Sequence, residues 1–223
     1  MTALLILGFD TSGSTASAAL LRDDLLLAQT SLYTKRTHSQ IMLPLCREML
    51  KNAEISVEEI DLFAAANGPG SYTGLRIGLA AVKGMAFALG KPCVGVSTLS
   101  GLAWLMAGTQ GKLCSVIHAR QSLYYCAVFE SDGTAVSRVT EDAILEETAL
   151  AELLESYHAP VLLNGDGAER IAALSEQFTA APPHLRLQSA VGIALAAREL
   201  PHQDAVTLAA SYLQETQAEK LRR

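Results

Sequence analysis

The 223-residue sequence predicts an α/β protein built from two copies of one strand-strand-strand-helix-strand-helix unit. Three observations carry that expectation. Half of the residues are hydrophobic and the mean hydropathy is +0.24, which supplies material for a large core. Short apolar runs bounded by polar turns alternate with longer segments whose apolar residues recur at helical spacing. The order of these elements then starts again near residue 105.

In the first round, "LLILGFD" (4–10) is an apolar run ending in a polar turn. "TASAALLRD" and "LLLAQTSLY" follow, divided by Asp23-Asp24, and make three consecutive strands. A helix opens at Thr37, with Ile41, Leu45 and Met49 on one face and Leu43 and Leu50 nearby. Pro44 inside that pattern calls for a kink or a later start. "IDLFAAAN" is a fourth strand, "SYTGLRIGLAAVKGMAFALG" a long helix closed by Gly90, "PCVGVS" a fifth strand, and residues 98–107 one more helix. The second round reads "LCSVIHA" (113–119), "LYYCAVFE" (123–130) and "TAVSRVT" (134–140), the last two joined by Ser131-Asp132-Gly133. A helix at about 145–157, "PVLLN", the turn "GDGA", a helix from about 168 to 178, a short strand at 184–188 and terminal helical segments complete it. Two such units side by side describe the duplicated ribonuclease-H-like layout of the actin-like (ASKHA) group. The expected subdomains are 1–105 and 106–223, and the last helix, about 208–223, either stands free or returns to the first half.

A net charge of −6 argues against broad direct contact with nucleic acid, which leaves a basic footprint. The distribution is more telling. From Leu62 to Phe129, 68 residues pass without an Asp or Glu, while Arg76, Lys83, Lys91, Lys112 and Arg120 give the window +5. Chemistry centred there has no local carboxylate for a general base or a hard metal. No apolar run is long enough to cross a bilayer, and the N-terminus reads as a first strand and not an export signal. The expected location is the cytoplasm, with no membrane contact. Cys46, Cys93, Cys114 and Cys126 show no CxxC pairing and read as buried, reduced thiols.

"NGPGSYTGLRIG" (67–78) has the glycine density of a phosphate loop and leads into a helix. Pro69 removes one backbone N–H, no acid follows the next strand to hold a ribose, and "GLR" stands where a Walker loop needs Gly-Lys-Ser/Thr. Nucleotide readings of the loop are therefore weak. Gly74 and Gly78 are four apart, and Ala80, Gly84 and Ala88 extend the series of small residues along the helix. Glycine in a helix costs ~1 kcal/mol relative to alanine, so close approach of a neighbour has to compensate. That neighbour lies either inside the fold or on a partner chain.

Asp10-Thr11-Ser12 ends the first strand. In actin-like proteins an acid there reaches metal or phosphate, whereas the bland reading is a turn in which Asp bonds its own backbone. The equivalent turn of the second half, "IHARQSLYY", holds His118 and Arg120 and no glycine, so half of a phosphate clamp is missing. An actin-like ATPase or small-molecule kinase using Asp10 is thus a rival reading. His38 lacks a second histidine at ligand spacing and reads as structural, making polar contacts with the loops.

"ILGFDTS", "THSQIMLP", "NGPGSYTGLRIGLAAVKGMAFALG" and "VGVSTLSGLA", in this order and spacing, closely resemble the TsaB (YeaZ) family over roughly residues 4–105. The second half matches in layout and in "HAR", where the family usually has Asp-Ala-Arg, and "ASYLQ" departs from Pro-x-Tyr-Leu-Arg. The resemblance implies a part in making threonylcarbamoyladenosine in tRNAs that read A-starting codons, beside a catalytic paralogue, TsaD, and an ATPase, TsaE. The paralogue's His-x-Glu-Gly-His metal box falls on Thr98-Leu99-Ser100-Gly101-Leu102, without its histidines and glutamate. The chain is therefore expected to be a non-catalytic scaffold with no metal or cofactor of its own, ATP or ADP and Mg entering only through the complex, as would tRNA. A peptidase, a label attached to relatives, is a further rival without a metal box or triad. By the same resemblance, partners dock on the first helix and on the helix after the loop. The residues expected there are His38, Leu45, Met49, Tyr72, Gly74, Leu75, Gly78, Ala81, Val82 and Met85, with Gly84 alongside, and the isolated chain is expected to homodimerise through them.

Overall fold

A computed structural model describes residues 3–34 and 36–213. The first sheet contains β1 (Leu5–Asp10), β2 (Thr15–Arg22), β3 (Leu25–Tyr33), β4 (Leu62–Gly68) and β5 (Cys93–Ser97), in the order β3-β2-β1-β4-β5. The first three strands pair antiparallel, and β1, β4 and β5 run parallel. All six residues of β1 are buried, which explains why it reads as a continuous apolar run and not as an alternation.

Helices α1 (His38–Asn52) and α2 (Tyr72–Leu89) cover one face, over Leu7, Phe9, Leu20 and Phe63. Helix α1 runs through Pro44, which stands exposed on its outer side. The opposite face, with Ile6, Leu21, Leu62 and Val94, is covered by α6 (Ala190–Ala197) from the far end of the chain. Ser17 Oγ accepts a hydrogen bond from the Ala190 N–H at 3.1 Å, so the second strand helps to seat this helix.

The second sheet holds β6 (Gln110–Arg120), β7 (Leu123–Asp132), β8 (Val136–Arg138), β9 (Ala143–Glu146), β10 (Val161–Asn164) and β11 (Phe178–Ala180). Its order is β11-β10-β6-β7-β8, with β9 also paired to β7. Helices α4 (Glu147–Glu155) and α5 (Ala168–Ala172) pack on one face over Val116, Val128 and Leu163. On the other face lies α3 (Thr98–Trp104), whose Leu99 and Leu102 join Leu113, Ile117 and Phe129. Thus α3 and α6 lie back to back between the sheets, and a Cβ on Gly192 of α6 would overlap the Gly101 carbonyl of α3. The two sheets with this helical filling are the expected α/β, actin-like architecture.

The sequence reading differs from the structure mostly near the C-terminus. Residues 143–146 form a strand before α4, and α5 stops at Ala172, where a helix to 178 is expected. Phe178 reaches the core from β11, so tertiary burial outweighs helical spacing there. The segment expected as a strand at 184–188 begins instead as a 3-10 turn at Pro183–Leu185, for Pro182 and Pro183 have no N–H for a ladder. Residues 208–213 of the expected last helix carry no helix, and the rest of it lies outside the described residues. The chain does return to the first half, in extended form: Gln203 pairs with Cys93, and the Ser211 N–H donates to Asn67 O at 2.7 Å. Among the described residues no helix is long and apolar enough to cross a membrane.

All four cysteines are free and buried, and burial raises their thiols, Cys46 and Cys126 to about 12. A thiol reagent such as DTNB should therefore label none of them in the native protein and all of them after denaturation, since the thiolate is the reactive form.

Candidate functional site

The loop after β4 folds down onto the end of β1. Gly68 has φ +130°, and a Cβ there would overlap the Ser211 carbonyl, so the turn and the returning chain both require glycine. The Ser71 N–H donates to Ser12 O at 2.7 Å. Ser71 also caps α2, its hydroxyl accepting from the Gly74 N–H at 3.2 Å. Thr11 Oγ1 then donates to Gly74 O at 2.7 Å. Loop, helix start and strand end form one locked corner.

This corner identifies the neighbour that the helical glycines need. A Cβ on Gly74 would overlap the Thr11 carbonyl oxygen, and one on Gly78 would lie 2.6 Å from Thr11 Oγ1. Both glycines are buried and face the same chain. Ala80, Gly84 and Ala88 behave differently: all three are exposed, and space around Gly84 is open. The small-residue series therefore splits into an internal stripe and an outward one.

Asp10, Thr11 and Ser12 are buried beneath the loop. The Asp10 carboxylate accepts from the Ser12 N–H at 2.9 Å and from Ser12 Oγ at 2.6 Å. Burial outweighs these two bonds and lifts its pKa to about 6. The triplet thus makes the self-bonded turn, with its hydroxyls and carboxylate engaged inside the fold. His38 Nδ1 lies 3.3 Å from Thr11 O, a polar contact with the same corner. In the second half, the His118 N–H donates to Asp166 Oδ1 at 2.8 Å and His118 Nε2 lies 2.9 Å from Gln121 O, which closes the β6–β7 turn on itself.

At the start of α3, Ser97 caps the helix and donates to Asp142 Oδ2 at 2.6 Å. Arg138 bridges Asp142 Oδ1, at 2.5 Å, and Ser100 Oγ, at 2.6 Å. This cluster ties the end of the first sheet to the β8–β9 connection. Among the described residues no group of three or more His, Cys, Asp or Glu converges to hold a metal ion.

The residues expected at a partner face are dispersed by the structure. Gly74, Leu75, Gly78, Val82 and Met49 are buried within the chain. Leu45, Ala81 and Met85 are half-buried and His38 is engaged with Thr11. Tyr72 is exposed, stacked with Tyr212 at 5.1 Å and with the Arg76 guanidinium 3.9 Å above its ring. Sequence periodicity missed the outward residues: Leu43 on α1, Phe87 on α2 (76% exposed) and Tyr212. A groove of about 700 Å³ runs beside α1, lined by Leu43, Pro44, Leu50, Ile55 and Met85.

Comparison with known proteins identifies the family and agrees with the fold. A family model described as TsaD, tRNA N6-adenosine threonylcarbamoyltransferase, matches residues 29–222. The TsaB tRNA threonylcarbamoyladenosine biosynthesis protein of Bacillus subtilis is 31% identical over 160 residues, 72% of this chain and 70% of that one. Its Escherichia coli counterpart is 31% identical over 166 residues, covering 73% and 71%. The structure of YeaZ from Pseudomonas aeruginosa superposes with a TM-score of 0.81 at 27% identity, over 96% of this chain and all of that one. A ROK hexokinase from Thermus thermophilus shares the fold alone, at a TM-score of 0.52 and 11% identity. With its loop, its fold and these relatives in agreement, the chain belongs to the TsaB (YeaZ) family of tRNA threonylcarbamoyladenosine biosynthesis.

Proposed function

We propose that the chain is a non-transferring subunit that docks a TsaD-like catalytic paralogue on the outer surface of α1 and α2. The carrying observation is the contrast between two regions. Asp10, Thr11 and Ser12 are sealed under the loop, whereas Leu43 is exposed on α1 beside a largely apolar groove and Tyr72 and Phe87 are exposed on α2. Exposed apolar patches of this kind mark interaction sites. A TsaE-like ATPase joins the pair, tRNA is met through the complex in the cytoplasm, and the isolated chain homodimerises through the same face. ATP or ADP with Mg serves the assembly and not this chain alone.

The test is to mix the chain with its paralogue and measure mass by light scattering. A heterodimer is expected, and Leu43→Glu or Tyr72→Ala should weaken it by about tenfold or more, as loss of a central apolar or aromatic anchor does. A mixture that stays as separate chains, or variants that pair like wild type, would remove this assignment. Gly78→Leu is unsuitable as the disrupting variant, for Gly78 packs internally against Thr11. Calorimetry of the isolated chain with ATP and Mg separates the kinase reading, which requires micromolar binding.

A further inference from the structure

A second surface lies away from the loop, on the outer edge of the first sheet. Among the described residues β3 pairs only with β2, so its other edge has no strand beside it. At ~3.4 Å per residue, nine residues present a ladder roughly 30 Å long. Edge strands are ordinarily guarded by charge, proline or marked bulging. β3 reads LLLAQTSLY, with no charged residue, glycine or proline, and its one register irregularity lies opposite Leu20 and Leu21, near its start.

Its exposed apolar residues sit at both ends of the strand. Leu25 and Leu26 are 61% and 39% exposed, and Leu32 and Tyr33 are 38% and 71% exposed. Gln29 is the middle residue. Antiparallel pairing of two copies about Gln29 brings Leu25 and Leu26 of one beside Leu32 and Tyr33 of the other, twice over. The flanking charges select the same direction. Asp23 and Asp24 precede the strand and Arg36 follows it, with none of the three in an ion pair among the described residues. In this register Arg36 falls opposite Arg22 of the other copy and diagonal to its Asp24, so antiparallel pairing leaves Asp24 near a base, whereas parallel pairing sets acid against acid. A groove of about 360 Å³ between β3 and α1, lined by Leu27, Thr30, Leu45 and Met49, leaves room for incoming side chains.

We infer that β3 is a self-pairing edge, through which a second copy of this chain joins antiparallel across a two-fold axis at Gln29. The two five-stranded sheets become one continuous sheet, and the contact is isologous, as closed dimers require. The paired edge is β3 itself; only the adjoining groove borrows Leu45 and Met49 from α1, and the contact does not depend on the docking proposal above.

Cross-linking of the full chain tests it. Opposed residues of an antiparallel pair have Cβ atoms about 4.5–5.5 Å apart, so Gln29→Cys brings two thiols within reach of a short bismaleimide. Because the native cysteines are buried, Thr148→Cys on α4 is a matched exposed control. The expected result is covalent dimer with Gln29→Cys well above the control. Adding Leu32→Lys should lower it by about tenfold, since each new ammonium would be set against the apolar Leu26 of the other copy and lose its water. Asp24→Lys should also lower it, and Asp24→Lys with Arg36→Asp should restore it. Cross-linking no faster than the Thr148→Cys control, or unchanged by Leu32→Lys, overturns the proposal. So does a Gln29→Cys adduct formed only with another protein. Loss of pairing with the paralogue leaves this readout untouched, so the two proposals fail separately.

Discussion

Gly74→Ala should destabilise the protein by about 3 kcal/mol, whereas Gly84→Ala on the same helix should stabilise it by up to ~1 kcal/mol. The propensity gain from adding a methyl group is the same at both positions, so the surroundings decide the sign. At Gly74 the new Cβ overlaps the Thr11 carbonyl, a backbone atom fixed by β1 and unable to rotate away. Relief requires α2 to move off the strand, which breaks the Thr11–Gly74 and Ser12–Ser71 hydrogen bonds. At Gly84 nothing lies within 4 Å and only the helical propensity is felt. For a chain of this size each kcal/mol moves the melting temperature by about 2–4 °C, so calorimetric scans should shift the two variants in opposite directions. A Gly74→Ala variant as stable as wild type would mean that loop and strand are not locked together.

Asp10→Asn should gain on wild type as the pH rises. A carboxyl whose pKa is raised by burial favours the folded state most when protonated. Its contribution is full below the ordinary value of 3.8 and is lost as the pH climbs through about 6. Asparagine stays neutral throughout, and its Oδ1 can still accept from the Ser12 N–H and hydroxyl. The stability difference between the two proteins should therefore shift in favour of the variant by about 2 kcal/mol between pH 4 and pH 7. Urea midpoints at the two pH values measure it. If the two proteins track each other in parallel, Asp10 ionises near its ordinary pKa. Solvent or a cation then reaches it, which would revive the phosphate-binding reading.

Much of the architecture was legible because its strands are unusually apolar. A short buried run such as Leu5–Asp10, or an apolar strand followed by a capped helix as at 62–89, announces itself through composition and capping residues. The second half was read less well where elements are three to five residues long, as in β9, β11 and α5. Period cannot be measured over so few positions, and pairing with distant strands decides them. The corner at Asp10 was half legible. Spacing showed that Gly74 and Gly78 need a close neighbour, but Thr11 is remote in sequence and only the fold could name it. The exposed residues Phe87 and Tyr212 gave no periodic signal, because exposure depends on what the rest of the chain leaves uncovered.

The placement of α6 bears on synthesis. The first sheet has one face built over by α1 and α2, which follow it closely in sequence, and the other by a helix that begins only at Ala190. While the nascent chain emerges, Ile6, Leu21, Leu62 and Val94 have no native cover until α6 has been made. Residues 203 and 211 then tie the sheet to the last part of the chain through Cys93 and Asn67. A ribosome stalled before codon 190 holds a half-clad sheet, of the kind that chaperones bind. Folding of β1 and β2 is thus completed by a helix translated long after them.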